Sequence, residues 1–217
     1  MVTSSARRTV SGGLAVRSQP DYQFDFCGGD LAIDFTNTVG NRGDDPEEHF
    51  NTFGDVVAWA EARGVITRTA ARALRRRAAS DPDEARRAHG RAVDLREALY
   101  RVLEALAGKR RPPPDDLNVL NAHVSATFEG AALSASGTRF TLETPRGVGL
   151  DEVLRRVVRA AVDLLASDRV EHIGRCADDS CAWLFLDTTR SRTRRWCDMK
   201  SCGNRNKVRR FRLGIDD

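Results

Sequence analysis

The chain has 217 residues, 41% of them hydrophobic and five of them cysteines, and its net charge is +4. That length accommodates one or two domains with a substantial buried core. No apolar stretch approaches the ~20 residues of a membrane span, and Met1 to Gln19 is polar and arginine-containing, without the apolar run of a secretory leader, so a soluble cytoplasmic protein with no membrane partner is expected.

In chain order, residues 1–20, rich in Ser, Gly and Arg, read as a flexible lead-in. Tyr22-Gln23-Phe24-Asp25-Phe26 alternates apolar and polar residues and predicts a half-buried strand. Cys27-Gly28-Gly29-Asp30 reads as a turn. Leu31 to Val39 alternates again and predicts a second strand, followed by a polar loop from Gly40 to Pro46. Thr52-Phe53-Gly54-Asp55 is a capping-box signal for a helix to about Ala62, stopped by Gly64.

Thr67 opens a second helix over 68–79. Asp81-Pro82-Asp83-Glu84 opens a third, long helix to Ala107, with cap, proline and acids placed at the positive end of its dipole. The linker Pro112-Pro113-Pro114 precedes a fourth helix from Asp115 or Asp116 to Ser125. Residues 127–134 and 138–143, joined at Ala135-Ser136-Gly137, read as a hairpin. Leu150 to Ala166 is a strongly amphipathic helix. The fold class expected for this order is α+β: a mostly helical domain over 21–169 with a small antiparallel sheet, then a distinct module over 170–217.

That module holds four of the five cysteines, spaced Cys176-x4-Cys181-x15-Cys197-x4-Cys202. Two equal short pairs with a medium spacer match a structural zinc site, because each tight turn aims two thiolates at one point and four close a tetrahedron. Such a site leaves no open position for substrate. Disulfides would need an oxidising compartment, to which nothing in the chain points. Cys27 lies far off in sequence and reads as a partly buried free thiol. The module is expected to form a treble-clef or ribbon-like fold with a terminal helix. Trp183, in the apolar run after Cys181, and Trp196 are expected in its small core, since metal-built modules are short of apolar area.

Charge is concentrated in the same module. From Arg190 to Arg212 there are ten Lys or Arg and a single acid, Asp198. The segment therefore carries +9 and the rest of the chain −5, given the overall +4. This asymmetry points to a polyanion partner, with nucleic acid leading. Arginine richness itself runs through the whole chain, so the clustering is the informative part. Arg190, Arg192, Arg194 and Arg195 form a basic loop between the cysteine pairs. A helix over 205–213, capped by Asn204, would carry Arg205, Arg209 and Arg212 on one stripe, Lys207 and Arg210 elsewhere, and Val208 and Phe211 facing the ribbon. These nine basic residues are the candidate nucleic-acid contacts.

Trp196-Cys197 and Cys202-Gly203-Asn204-Arg205, after Cys176-x4-Cys181 and Phe185-Leu186-Asp187-Thr188-Thr189-Arg190, resemble the CGNR zinc-finger module. Gly29-Asp30-Leu31-Ala32-Ile33-Asp34-Phe35-Thr36-Asn37-Thr38 resembles the leader motif of the ABATE domain, found ahead of such fingers in bacterial proteins described as stress-induced transcription regulators. The resemblance implies one zinc ion on Cys176, Cys181, Cys197 and Cys202 and a nucleic-acid role for the finger. It also makes Asp34 and Asn37 candidates for a ligand pocket; the other reading of these two is hydrogen bonding inside the fold.

The four histidines (His49, His89, His123, His172) are scattered, and there is neither a glycine-rich phosphate loop nor a nucleophile elbow, so no enzyme is expected. Three functions remain. The first is a DNA-binding transcription regulator whose N-terminal domain senses a small-molecule effector or forms a homodimer. The second is an RNA-binding ribbon protein with Trp183 or Trp196 stacking on bases. The third is a small-ligand receptor whose finger binds protein.

Overall fold

The structure is a computed structural model and describes residues 22–143 and 149–214. The lead-in over 1–20 lies outside the described residues. In order, the elements are α1 (Leu31–Thr36), β1 (Val39–Gly40), β2 (Glu47–Glu48), α2 (Phe53–Ala62), α3 (Arg68–Ser80), α4 (Pro82–Ala107) and α5 (Pro114–Phe128). These are followed by β3 (Ala132–Ser136), β4 (Arg139–Glu143), α6 (Glu152–Leu165), β5 (Ile173–Arg175), β6 (Leu184–Leu186) and α7 (Asn204–Arg212). The described strands form three antiparallel pairs, β1 with β2, β3 with β4 and β5 with β6. The chain is thus α+β, helical through its middle, with small sheets.

Two strand expectations fail. Residues 22–26 join no ladder. The Leu31 to Val39 segment begins as a helix, not a strand: the Asp30 carboxylate accepts the Ala32 amide at 2.9 Å and nucleates the turn. Alternation misled because α1 is buried on nearly every side. Its polar residues Asp34 and Thr36 are enclosed as fully as Ala32, Ile33 and Phe35, so no polar face marks the helical period. The polar loop after it is closed at its ends by the short β1–β2 ladder, with Val39 opposite Glu48 and Gly40 opposite Glu47. The hairpin also starts later than expected, because α5 runs on to Phe128 and β3 begins at Ala132.

α1 is the hub of the main core and packs on α4, α6 and β6. Phe35, Phe50 and Trp59 meet around it with ring centroids 5.3–6.0 Å apart. A partly buried ion network ties the loop after α1 to α4. Arg42 pairs with Glu97 at 2.9 Å, and Arg96, 2% exposed, pairs with Glu48 at 2.6 Å. Burial opposes ionisation of Glu48 and Glu97, but the facing guanidinium groups outweigh it and hold both carboxyls below their ordinary range.

The cysteine module is built into this core. In β6, Leu184 and Leu186 join the main core, while Phe185 faces the cysteines. The Asn37 side chain imitates a strand partner: its amide donates to the Leu184 carbonyl at 2.8 Å and its oxygen accepts the Leu184 amide at 3.0 Å. Leu186 donates its amide to Gly28 at 2.7 Å. The Tyr100 hydroxyl of α4 donates to Ala182 at 2.9 Å, and the Trp183 ring nitrogen donates to Val39 at 2.7 Å. Gly43 donates to Ser180 at 3.1 Å, and a Cβ there would lie 1.7 Å from the Asp179 carbonyl, so only glycine permits this approach.

Asn37→Ala removes both bonds to Leu184 and leaves a buried amide and carbonyl unpaired. The expected cost is about 2–4 kcal/mol, from roughly 1–3 kcal/mol per orphaned group. It should appear as a lower urea midpoint of the full chain with one zinc still bound. An unchanged midpoint would show that the junction does not contribute to stability.

Candidate metal centre and basic surface

Each cysteine pair sits in a turn organised by an aspartate. Asp178 accepts the Ser180 hydroxyl at 2.8 Å and its backbone carbonyl accepts the Cys181 amide at 3.0 Å, which curls the chain from Cys176 to Cys181. Asp198 accepts the Ser201 amide at 2.9 Å at the start of a single wide helical turn, Met199–Gly203, that carries Cys202 into the N-terminus of α7. Between the turns, Asp187 accepts the Thr189 hydroxyl at 2.6 Å and the Arg194 amide at 2.9 Å. The three aspartates were not singled out from the sequence. Asp178-x-Ser180 and Asp187-x-Thr189 were the available signals, as short acids two residues before a hydroxyl form such turns.

All four Sγ atoms lie within 4.8 Å of one another, and all four cysteines are buried. Cys197 Sγ is 3.6 Å from that of Cys181 and 3.5 Å from that of Cys202. A tetrahedral Zn–S distance of ~2.3 Å requires sulfurs ~3.8 Å apart, and a disulfide would require ~2.05 Å. The cluster therefore fits one zinc ion on Cys176, Cys181, Cys197 and Cys202. Contact with Cys181 pulls the Cys176 thiol down, while contact with Cys176 pushes Cys181 and Cys197 up. A divalent cation is the chemistry that lets all four ionise together. With four protein ligands the site is closed and structural. Cys27 packs beside the cluster but is not one of the four.

The aromatic residues take different positions. Trp183 is buried, with its ring nitrogen bonded to Val39. Trp196 is half-buried against the sulfurs, and the Arg195 guanidinium lies 5.5 Å from its ring centroid.

The nine basic candidates divide. Arg194 is turned inward. It donates to the carbonyls of Trp196 and Cys27 at 2.9 and 2.8 Å, also to that of Cys197, and lies 4.4 Å over the Phe185 ring. It stitches the second cysteine turn to the main domain. Arg192 reaches back to the Asp187 carbonyl. Arg190 and Arg195 are exposed. On α7, Lys207, Arg209 and Arg212 are exposed, Arg210 is half-buried, and Arg205 lies 3.9 Å from the buried Asp178 carboxylate.

The packing expected for α7 does not occur. No residue of the helix is buried, and it packs on the preceding turn. Val208 is 51% exposed and Phe211 81%, so neither faces the ribbon. The module core is formed by the four cysteines, Trp183, Phe185 and Trp196, and neither Val208 nor Phe211 belongs to it. Asn204 also lies inside α7, where its side chain donates to Lys200, rather than before it. A groove of about 710 Å³ lies elsewhere, between α4 and α5, while one of about 680 Å³ runs along α7, lined by Lys200, Arg205, Val208, Arg209 and Arg212. Lys200 was not among the candidates, although its place inside the second cysteine turn is the signal for it.

Asp34 and Asn37 are engaged within the fold. Asp34, 1% exposed, accepts the Gly28 amide at 2.8 Å and the Arg63 guanidinium at 2.7 Å. Burial pushes its carboxyl up, and Arg63 and the Gly28 amide oppose that. Both side chains serve as braces at the junction with the cysteine module.

Among the described residues no helix is long and apolar enough to cross a membrane. Comparison with known families finds two matches. Residues 29–168 match the ABATE family, described as "Putative stress-induced transcription regulator". Residues 172–213 match the CGNR zinc finger. No curated protein matches the chain.

Purified protein is expected to contain one zinc per chain, measured by elemental analysis, and to lose it when Cys197 and Cys202 are replaced by Ser. Arg194→Ala should release zinc to a chelator at least several-fold faster, whereas Arg190→Ala should leave release unchanged. Equal rates for the two variants would contradict the bracing role of Arg194.

Proposed function

Because the chain belongs to the ABATE family and carries a CGNR zinc finger, we propose that it is a transcription regulator that binds duplex DNA through its C-terminal module. The observation that carries this reading is α7 itself. It is a helix with no buried residue, launched from the metal-pinned turn, with Arg205, Arg209 and Arg212 on one stripe and Val208 and Phe211 beside them. The B-form major groove admits an α-helix. Arginines on one side suit phosphates, and apolar side chains next to them suit thymine methyl groups. Arg190, Arg195, Lys200 and Lys207 extend the positive surface around the same metal centre. Zinc fixes the direction in which the helix leaves the domain and takes no part in chemistry. The protein is not an enzyme on this reading, and it acts in the cytoplasm.

An RNA-binding role draws support from the half-buried Trp196 and its neighbour Arg195, but loses Trp183, which is enclosed. The deep, narrow groove of A-form RNA does not admit a helix such as α7. The receptor reading loses the two residues that suggested it, since Asp34 and Asn37 are engaged inside the fold.

Replacing Arg205, Arg209 and Arg212 together by Ala should abolish retention on duplex DNA at moderate salt. It should also reduce the slope of log affinity against log salt by about 2–3, from ~0.9 per phosphate contact. Titration of labelled duplex and of structured RNA at several salt concentrations checks both. Unchanged duplex affinity, or preference for the RNA, would overturn the proposal.

A further inference from the structure

The β3–β4 hairpin stands apart from the rest of the fold. Its strands pack on each other, and a long contact from Arg159 of α6 to the Leu142 carbonyl, 3.4 Å, ties it to the helices. Alternate residues on one face are apolar, and they are open to solvent: Leu133 is 70% exposed and Phe140 71%. A two-stranded hairpin with an exposed apolar face is marginal in water, and edges that pair with no further strand among the described residues make it a template for one.

The sequence of β4, Arg139-Phe140-Thr141-Leu142-Glu143, shows which strand fits. The register Ser136 opposite Arg139 closes the hairpin on a two-residue turn, Gly137-Thr138, with Gly137 at φ 62°. From that turn the ladder alternates, so Arg139, Thr141 and Glu143 bond toward β3, while Phe140 and Leu142 direct their backbone groups outward. The contact of Arg159 with the Leu142 carbonyl is on that outer edge, and it leaves the carbonyl a second lone pair.

We propose that β4 pairs with β4 of a second copy of this chain, antiparallel about a two-fold axis through Thr141, to form a four-stranded sheet across a homodimer. In this register each Phe140 lies opposite the partner copy's Leu142 on the apolar face. On the other face each Arg139 lies opposite the partner copy's Glu143, at both ends of the strand. Charge complementarity selects this occupant. Among the described residues Arg139 forms no ion pair and Glu143 is engaged by the Ser134 hydroxyl alone, at 2.7 Å, so both charges can meet a partner strand. A second copy meets every position of β4 with its complement, as an isologous interface must. The equivalent pairing of β3 about Ser134 would match Leu133 with Ala135 and bring no charges together.

The test is sedimentation of the full chain and of charge-swapped variants, without nucleic acid, so that its outcome is independent of DNA binding. The wild-type chain is expected to be dimeric. Arg139→Glu and Glu143→Arg, alone, place like charges opposite each other at both ends and should weaken the dimer by about tenfold or more. The double variant restores opposite charges and should restore the dimer. Thr141→Cys should cross-link two chains under mild oxidation, because a non-hydrogen-bonded pair holds its Cα atoms ~4.5 Å apart, within disulfide reach. Ser134→Cys should not cross-link. A monomer at all concentrations overturns the proposal. So does a dimer indifferent to the single swaps, a double swap that fails to rescue, or cross-linking through position 134 in place of 141.

Discussion

Strand β6 has two faces, and each belongs to a different core. Leu184 and Leu186 point into the helical domain, and Phe185 between them points at the sulfurs. The two-residue period of a strand makes this unavoidable. A change in register by one residue would exchange the two cores, so the position of β6 is fixed from both sides. Gly174, opposite Phe185, is part of the same constraint: a Cβ there would lie 2.6 Å from the Phe185 ring. Around this strand the rest is arranged. Asn37 takes its outer hydrogen bonds, Gly28 accepts from Leu186, and Arg194 lies over Phe185 while holding the second cysteine turn.

This arrangement changes what the metal does. In an isolated small module zinc substitutes for a core. Here the first cysteine turn is inserted between two strands whose Ile173, Leu184 and Leu186 are already buried in a helical domain. The first turn is held by the domain, through Tyr100 on Ala182 and Gly43 on Ser180. The second turn, with α7, is held mainly by the metal and by Arg194. The metal therefore joins a fixed half to a projecting half. The basic surface is carried on the projecting half, and its orientation relative to the helical domain depends on the metal and on Arg194 together.

The sequence made some of this legible and concealed the rest for definite reasons. The cysteine spacing predicted the metal site because ligand geometry is local to two turns. The helices α2 to α6 are legible because their apolar stripes are local as well, helped by caps at Thr52, Thr67 and Asp81; α5 opens at Pro114, ahead of the expected Asp115 or Asp116, and has no side-chain cap. α1 is not legible because it is too short and too buried to show a polar face, and Asp30, which fits a turn in the sequence, is its cap. Arg194 and Arg195 are neighbours with the same side chain; only the position of Phe185 and the free carbonyls of Cys27 and Cys197 decides that one turns inward and the other stays exposed. Val208 and Phe211 were read as facing a core because their spacing allows it, and spacing says nothing about whether a core is left to face.

The central claim is that the metal centre and the helical domain share one structure through β6. Hydrogen exchange of the full chain, with zinc bound and after chelation, tests it most directly. The account predicts that chelation removes protection from the Cys197–Cys202 turn and α7, and also lowers it at Leu184, Leu186 and across α1 around Asn37. If protection in α1 and β6 stayed at its zinc-bound level while the cysteine turns opened, the two cores would be independent, and the account would be contradicted.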